Sequence, residues 1–87
     1  SISGKSYEAM SWYKKSINTD SSNTKAYHNL GSVYLQLVRY DESIDCYKKA
    51  LKLNPKSALT YLSLGAIYEE IGKYEQAIVN FENFLKY

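Results

Sequence analysis

The chain is poor in the residues that catalysis, metal binding and disulfide formation require. Its 87 residues include a single cysteine, Cys46, and a single histidine, His28. One cysteine cannot form an internal disulfide, and one histidine without a cysteine cluster gives no zinc-ligand set. The sequence suggests no third group that would orient Cys46 and His28 as a nucleophile and a base. We therefore predict that the protein is not an enzyme and uses no metal or cofactor.

Long apolar runs and a strong excess of one charge are also absent. No apolar run approaches the ~20 residues that a membrane-spanning helix requires, and a net charge of +2 is too small to favour nucleic acid or an anionic membrane. The basic pairs Lys14-Lys15 and Lys48-Lys49 recur, but the third copy is Glu82-Asn83. We predict no nucleic-acid or membrane partner. The lone cysteine and the absence of an Asn-x-Ser/Thr site favour an intracellular, cytoplasmic protein.

Aromatic residues, by contrast, are abundant, with ten tyrosines, two phenylalanines and one tryptophan. They recur with a 34-residue period, which is the signature of a repeat protein. Small and aliphatic residues share this period, as in Gly31 with Gly65 and Leu30 with Leu64. The aromatic sets at this spacing are Tyr13–Tyr47–Phe81, Tyr27–Tyr61, Tyr34–Tyr68 and Tyr40–Tyr74. We interpret most of these aromatics as core residues between repeats.

Within each repeat the apolar spacing is helical. Tyr27, Leu30, Gly31 and Tyr34 are spaced i, i+3, i+4 and i+7, which places them on one helix face. Asn54-Pro55 ends a second helix, because proline disfavours helical geometry in the preceding residue and supplies no N–H. The pattern predicts five helices, near residues 4–19, 24–37, 41–53, 58–71 and 75–86.

These residues resemble the tetratricopeptide repeat (TPR) family, whose first helix carries an aromatic, Leu-Gly and Tyr. Its second helix carries an aromatic, a small residue, a second aromatic and alanine before a proline. The first copy here has Tyr27, Leu30-Gly31, Tyr34, Tyr40, Ser43, Tyr47, Ala50 and Pro55, and the second has Tyr61, Leu64-Gly65, Tyr68, Tyr74, Ala77 and Phe81. The resemblance implies an all-α, right-handed superhelical stack of antiparallel helix-turn-helix repeats. Small residues at the helix crossings (Gly31, Gly65, Ser43, Ala77) would allow helix axes to approach to about 8–9 Å.

We divide the single TPR-like domain by this register. Residues 1–23 form the second half of a truncated repeat, residues 24–57 a full repeat and residues 58–87 a nearly complete one. Ser1 to Ser3 would then be the tail of an earlier helix, so we expect a fragment of a larger protein. Apolar surface at both ends predicts possible self-association of the isolated chain.

Three positions test the register of the turns. Gly4 and Gly72 fall in turns between helices, where glycine adopts left-handed geometry easily. Gly4-Lys5-Ser6 is therefore interpreted as a turn and not as a phosphate-binding loop, since no strand or upstream glycine precedes it. Val38 stands where the middle repeat should have glycine, which predicts another turn geometry or stored strain. Phe84 lies outside the turns, at a helix position where the pattern has alanine.

The resemblance implies a protein-interaction module or scaffold that binds a partner segment in a concave groove. First helices line such grooves in repeat arrays. The groove-facing residues by register are Lys25, His28, Asn29, Ser32 and Gln36 in one repeat and Leu59, Leu62, Ser63, Ala66 and Glu69 in the next. We expect His28 to act there as a polar contact and not as a pH switch.

Two other functions remain open, a structural spacer within a longer superhelix and a non-catalytic targeting region of an enzyme such as a glycosyltransferase. The second is less favoured, because Asn29 is followed by Ser63 and no asparagine ladder continues. A chaperone-adaptor role is also not expected. Adaptor TPRs hold acidic C-terminal peptides with basic side chains, and Leu59 and Ser63 occupy the corresponding positions here.

Overall fold

Five α-helices make up the chain, each joined to the next by a turn. The computed structural model describes the backbone of residues 2–87 and the side chains from residue 4 onward. The helices are α1 (Ile2–Thr19), α2 (Thr24–Gln36), α3 (Tyr40–Leu53), α4 (Ala58–Glu70) and α5 (Tyr74–Lys86), and no strand occurs in this range. The predicted all-α fold of five helices is therefore confirmed.

Local chemistry fixes the helix ends. The side chain of Asn23 accepts a hydrogen bond of 3.0 Å from the Ala26 N–H, which caps the start of α2. Asp41 and Glu42 lie in the first turn of α3 and Lys52 in its last turn, so charges at both ends complement the helix dipole. The backbone N–H of Asn54 donates to Ala50 and closes α3 immediately before Pro55.

The helices pack as successive hairpins. The most extensive contacts are those of α2 with α3 and of α4 with α5, while α1 packs on α2 and α3 packs on α4. The resulting stack measures 33 × 28 × 16 Å. Its thinness leaves every helix with a face toward solvent.

Each of the two complete hairpins closes by laying an aromatic ring on a glycine. A Cβ atom added to Gly31 would lie 2.9 Å from Cε1 of Tyr47, and one added to Gly65 would lie 2.6 Å from Cε1 of Phe81. Ser43, which is fully buried, donates a hydrogen bond of 2.7 Å to the Gly31 carbonyl. Gly31, Gly65 and Ser43 therefore lie at close contacts between the two helices of a hairpin, where their small size is needed.

The core is divided into two clusters along the stack. One joins Met10 of α1 to Leu30, Val33 and Tyr34 of α2 and to Cys46 of α3. The other is built from α3, α4 and α5 by Tyr47, Leu64, Ile67, Tyr68 and Ala77. The interpretation of the aromatics as core residues holds for Tyr34, Tyr47 and Tyr68, whereas Tyr74 is 64% exposed.

The prediction of a turn at Gly4 is wrong. Gly4 lies within α1, which begins at Ile2, so Ile2 and Ser3 extend α1 and are not the tail of an earlier helix. Ser1, which the sequence assigned to the same tail, lies outside the described residues. Glycine is a poor helix residue but is tolerated near a helix end, so the 34-residue register does not determine backbone geometry there.

Val38 occupies the same left-handed turn position as Gly72. Val38 has φ +59° and Gly72 has φ +81°. The N–H of the following residue bonds back across the turn in both repeats, Arg39 to Tyr34 at 2.9 Å and Lys73 to Tyr68 at 2.8 Å. Because valine is β-branched, its Cβ disfavours this conformation, which costs about 1–2 kcal/mol. The predicted strain at Val38 therefore has a structural basis.

We expect Val38→Gly to leave the free energy of unfolding unchanged or to raise it by up to about 1.5 kcal/mol. The substitution relieves left-handed strain of about 1–2 kcal/mol but adds about 0.5–1 kcal/mol of backbone entropy loss on folding. Urea unfolding followed by circular dichroism measures the change. Gly72→Val is the matched control and should destabilise the chain, although open space surrounds Gly72. A melting temperature several degrees lower for Val38→Gly would contradict the strain.

Candidate partner-binding surface

The ten residues predicted to face a groove lie on α2 and α4, and none of them is fully buried. On α2, Lys25 and Gln36 are exposed, while His28, Asn29 and Ser32 are half-buried. The α4 members divide in the same way, with Leu59, Ala66 and Glu69 exposed and Leu62 and Ser63 half-buried. We keep the name groove-facing set for these ten residues.

The two halves of the set differ in chemistry. The α2 half carries amide, hydroxyl, imidazole and ammonium groups, which can donate or accept hydrogen bonds. The α4 half is mainly apolar, and Leu59 is 60% exposed although its neighbour Thr60 is fully buried. A leucine with this much exposed surface is available to contact another molecule.

His28 connects the helices that carry the set. Its Nδ1 is hydrogen-bonded to Oγ1 of Thr60 at 3.0 Å, and Thr60 Oγ1 lies 2.8 Å from Oγ of Ser57. The imidazole also packs against Tyr47 of α3, with ring centroids 5.1 Å apart and ring planes at 53°. His28 therefore holds α2, α3 and α4 together, a role that sequence reasoning missed.

Ser32 is likewise engaged with the interior. Its hydroxyl lies 2.8 Å from the Tyr47 hydroxyl, which is the polar end of an otherwise buried ring. Gln36 accepts a hydrogen bond of 3.3 Å from Ser6 of α1. His28, Ser32 and Gln36 are thus each hydrogen-bonded to a different neighbouring helix, α4, α3 and α1 in turn.

A cavity of about 410 Å³ lies along α1 and α2, and we call it the α1–α2 trough. Three of its lining residues belong to the groove-facing set, but the α1 residues were not foreseen as part of any site. The trough is lined by Lys5, Ser6, Ala9, Tyr13, Asn29, Ser32, Val33 and Gln36. The 34-residue period could have identified the α1 residues of this cavity, because Ala9 and Tyr13 are equivalent to Ser43 and Tyr47 in the next repeat.

Cys46 behaves as a core residue. It is buried in the first core cluster, and burial, with a smaller effect of the Asp45 carboxylate, raises its pKa to about 11. A thiol with this pKa is protonated at neutral pH and is a weak nucleophile.

The described residues hold no group of three His, Cys, Asp or Glu side chains that could bind a metal ion.

Comparison with known proteins identifies the architecture. Models of the tetratricopeptide repeat match residues 24–57 and residues 46–79, which together cover residues 24–79. The chain belongs to the tetratricopeptide repeat family. No curated protein sequence matches it. Of the helices that the structure describes, none has the length and apolar character to cross a membrane.

Solved TPR structures superpose closely on this chain. A crystal structure of MamA matches with a TM-score of 0.92 and 27% identity, over 94% of this chain and 48% of that one. The second TPR of Spaghetti (RPAP3), bound to the HSP90 peptide SRMEEVD, matches with a TM-score of 0.89 and 26% identity. That match covers 94% of this chain and 76% of the other. The chain thus spans about half the length of the MamA structure.

Acidification should destabilise the fold through His28. Burial lowers the pKa of His28 below its ordinary value of 6.5, so as the pH falls the unfolded chain takes up this proton before the folded chain does. The stabilising contribution of neutral His28 is therefore complete above pH 6.5 and is lost as the pH falls below it. Urea unfolding at pH 7.5 and pH 5.5 measures the change.

The control is His28→Gln, which retains a polar partner for Thr60 but does not titrate in this range. We expect the loss of stability between the two pH values to be smaller in His28→Gln than in the parent chain. Equal losses in the two proteins would contradict the assignment to His28.

Proposed function

We propose that the chain is a protein-interaction module that binds a segment of a partner protein along the groove-facing set. The observation that carries the proposal is the partial exposure of all ten residues on two first helices whose other sides are packed. Leu59 provides an exposed apolar anchor, and Asn29 provides an amide that can pair with a peptide group. Binding energy at such surfaces is concentrated in a few well-placed side chains.

The two halves of the set suggest the composition of the segment. Lys25, Asn29 and Gln36 suit main-chain or polar groups, whereas Leu59 and Leu62 suit apolar side chains. Glu69 at the end of the α4 half disfavours an acidic residue there. We therefore propose an extended or helical segment that is polar toward α2 and apolar toward α4.

An acidic C-terminal chaperone peptide does not suit this surface. The similar TPR of Spaghetti was solved with such a peptide, and charge-assisted donors are what a carboxylate requires. Here Leu59 and Ser63 occupy the positions where adaptor TPRs have basic residues, and the acidic Glu69 belongs to the same half of the groove-facing set. The proposal therefore treats this peptide as a non-binding control.

A spacer role within a longer superhelix is the second candidate, and one observation favours it. The outer face of α5 exposes Tyr74, Ile78 and Leu85, which repeat the register of Tyr40, Ile44 and Leu51. The latter three pack partly buried against the second core cluster. An α5 face with the same composition but open to solvent suits continued stacking.

Peptides selected from a random library on the immobilised chain test the first candidate. We expect them to bind a Leu59→Ala, Leu62→Ala variant at least about tenfold more weakly than the parent, a loss of about 1.4 kcal/mol in binding free energy. Fluorescence anisotropy titration measures the affinities, and thermal melting confirms that the variant is folded.

The matched control is Ile78→Ala, Val79→Ala, which removes exposed apolar side chains from α5 instead. Selected peptides should bind this control as they bind the parent, and SRMEEVD should bind none of the three proteins. Undiminished binding to the folded Leu59, Leu62 variant would refute groove binding and leave the spacer role.

A further inference from the structure

The charged residues of the chain are divided between the two edges of the stack. Because consecutive helices run antiparallel, the α1–α2 and α3–α4 turns lie along one edge, and the α2–α3 and α4–α5 turns lie along the other. We divide each helix at its midpoint between these edges. The first, which we call the basic edge, comprises residues 11–30, 47–64 and 81–87. The second, which we call the acidic edge, comprises residues 4–10, 31–46 and 65–80.

The two edges carry opposite net charges. Eight of the eleven basic residues and two of the nine acidic ones belong to the basic edge, which gives it a net charge of +6. The other three basic and seven acidic residues give the acidic edge a net charge of −4. A 13-residue helix such as α2 separates the edges by about 20 Å, twice the Debye length of about 10 Å at 0.1 M salt. Each edge therefore presents its own charge to another molecule.

Helix dipoles explain only part of this division. The acidic residues of α3 lie in its first turn and Lys52 lies in its last, as the dipole favours. The charges of α2 and α4 oppose the dipole, because Lys25 lies in the first turn of α2 and Glu69-Glu70 in the last turn of α4. These residues match the charge of the edge on which they lie and not the preference of the helix that carries them.

The charges of both edges are open to another molecule. All eight lysines of the basic edge are exposed, as are six of the seven acidic residues of the acidic edge. Among residues 4–87, Lys49 is the one lysine of the basic edge that lies in an ion pair, 3.6 Å from Asp45. Lys48 and Lys52 lie one turn apart on α3 and repel each other. Carboxylates of a partner would relieve this repulsion.

Both edges carry their charges at the spacing of the repeat. On the basic edge Lys14-Lys15 recurs as Lys48-Lys49, and on the acidic edge Asp41 recurs as Glu75. Because the same helices join the two edges, carboxylates of one molecule can match lysines of another in register. The edges lie beside the stack and not at its ends. A helix packed on α1 or α5 would therefore lengthen both edges and would not cover them.

We propose that the basic edge of one molecule binds the acidic edge of a second copy of this chain. The chain itself carries the complementary surface, with the opposite charge and the same repeat spacing. The two surfaces in this contact differ, so the assembly is head-to-tail and each end of it can accept a further copy. Exposed ion pairs are individually weak and are screened by salt. The association is therefore weak, sensitive to salt and distinct from apolar contact at the ends of the stack.

Sedimentation velocity of the chain at two salt concentrations tests the proposal first. We expect association that rises with protein concentration at about 20 mM NaCl. The association constant should fall at least tenfold at about 300 mM NaCl, where screening extends over only a few ångströms.

Two variants of equal net charge separate the effect of the edges from that of overall charge. Lys48→Glu, Lys56→Glu lowers the charge of the basic edge from +6 to +2, whereas Lys5→Glu, Lys73→Glu changes the acidic edge from −4 to −8. All four lysines are exposed, and both variants have a net charge of −2. We expect the first variant to associate at least tenfold more weakly than the parent and the second to associate more strongly.

Circular dichroism shows whether each variant is folded, and Lys48→Gln, Lys56→Gln replaces the first variant if it loses helicity. None of the four lysines belongs to the groove-facing set. Peptides selected on the parent should therefore bind both variants as before, so failure here is distinguishable from failure of groove binding.

Four results would overturn the proposal. The first is a chain that stays monomeric at both salt concentrations, and the second is an equal change in the two variants. The third is association that persists at high salt and in the Lys48, Lys56 variant, because the contact would then lie at the apolar ends of the stack. The fourth is a monomer that binds oligoglutamate through Lys48 and Lys56, which would assign the basic edge to an acidic partner.

Discussion

The packing of an aromatic ring directly on a glycine is the contact on which the rest of this structure depends. Tyr47 is 1% exposed and its ring lies on Gly31, while Phe81 lies in the same way on Gly65. Because the ring fills the space that a Cβ would need, the two helices of each hairpin approach closely along that line. Ser43 must then be small, and its hydroxyl bonds to the Gly31 carbonyl.

This contact also determines which surfaces remain for function. The first helix of each hairpin packs its glycine face against the second helix, so a different face of the first helix is exposed to solvent. On α2 this leaves Asn29 partly exposed, and on α4 it leaves Leu59 exposed. At α1 the ring is present as Tyr13, but no described helix brings a glycine to it. The exposure of the proposed peptide surface therefore follows from the same contact.

The period and the apolar spacing were enough to predict the five helices, because each helix face is specified locally. The unusual backbone at Val38 was predictable, because the repeat places it at a helix-ending turn position that glycine occupies in the next repeat. Gly4 was misassigned, because a repeat register shows which residues are equivalent but not their backbone geometry, and Gly4 lies inside α1. The contact of His28 with Thr60 joins residues 32 apart in sequence, and no local pattern encodes it.

A double-mutant cycle between Gly31 and Tyr47 tests the central contact most directly. Gly31→Ala in the parent chain should lower the free energy of unfolding by about 1–3 kcal/mol through overpacking, against a helix-propensity gain of up to about 1 kcal/mol. In a Tyr47→Leu background only the helix-propensity gain should remain, giving a coupling energy of about 1–3 kcal/mol. Additive effects, or stabilisation of the parent by Gly31→Ala, would show that the ring does not set the approach of the helices.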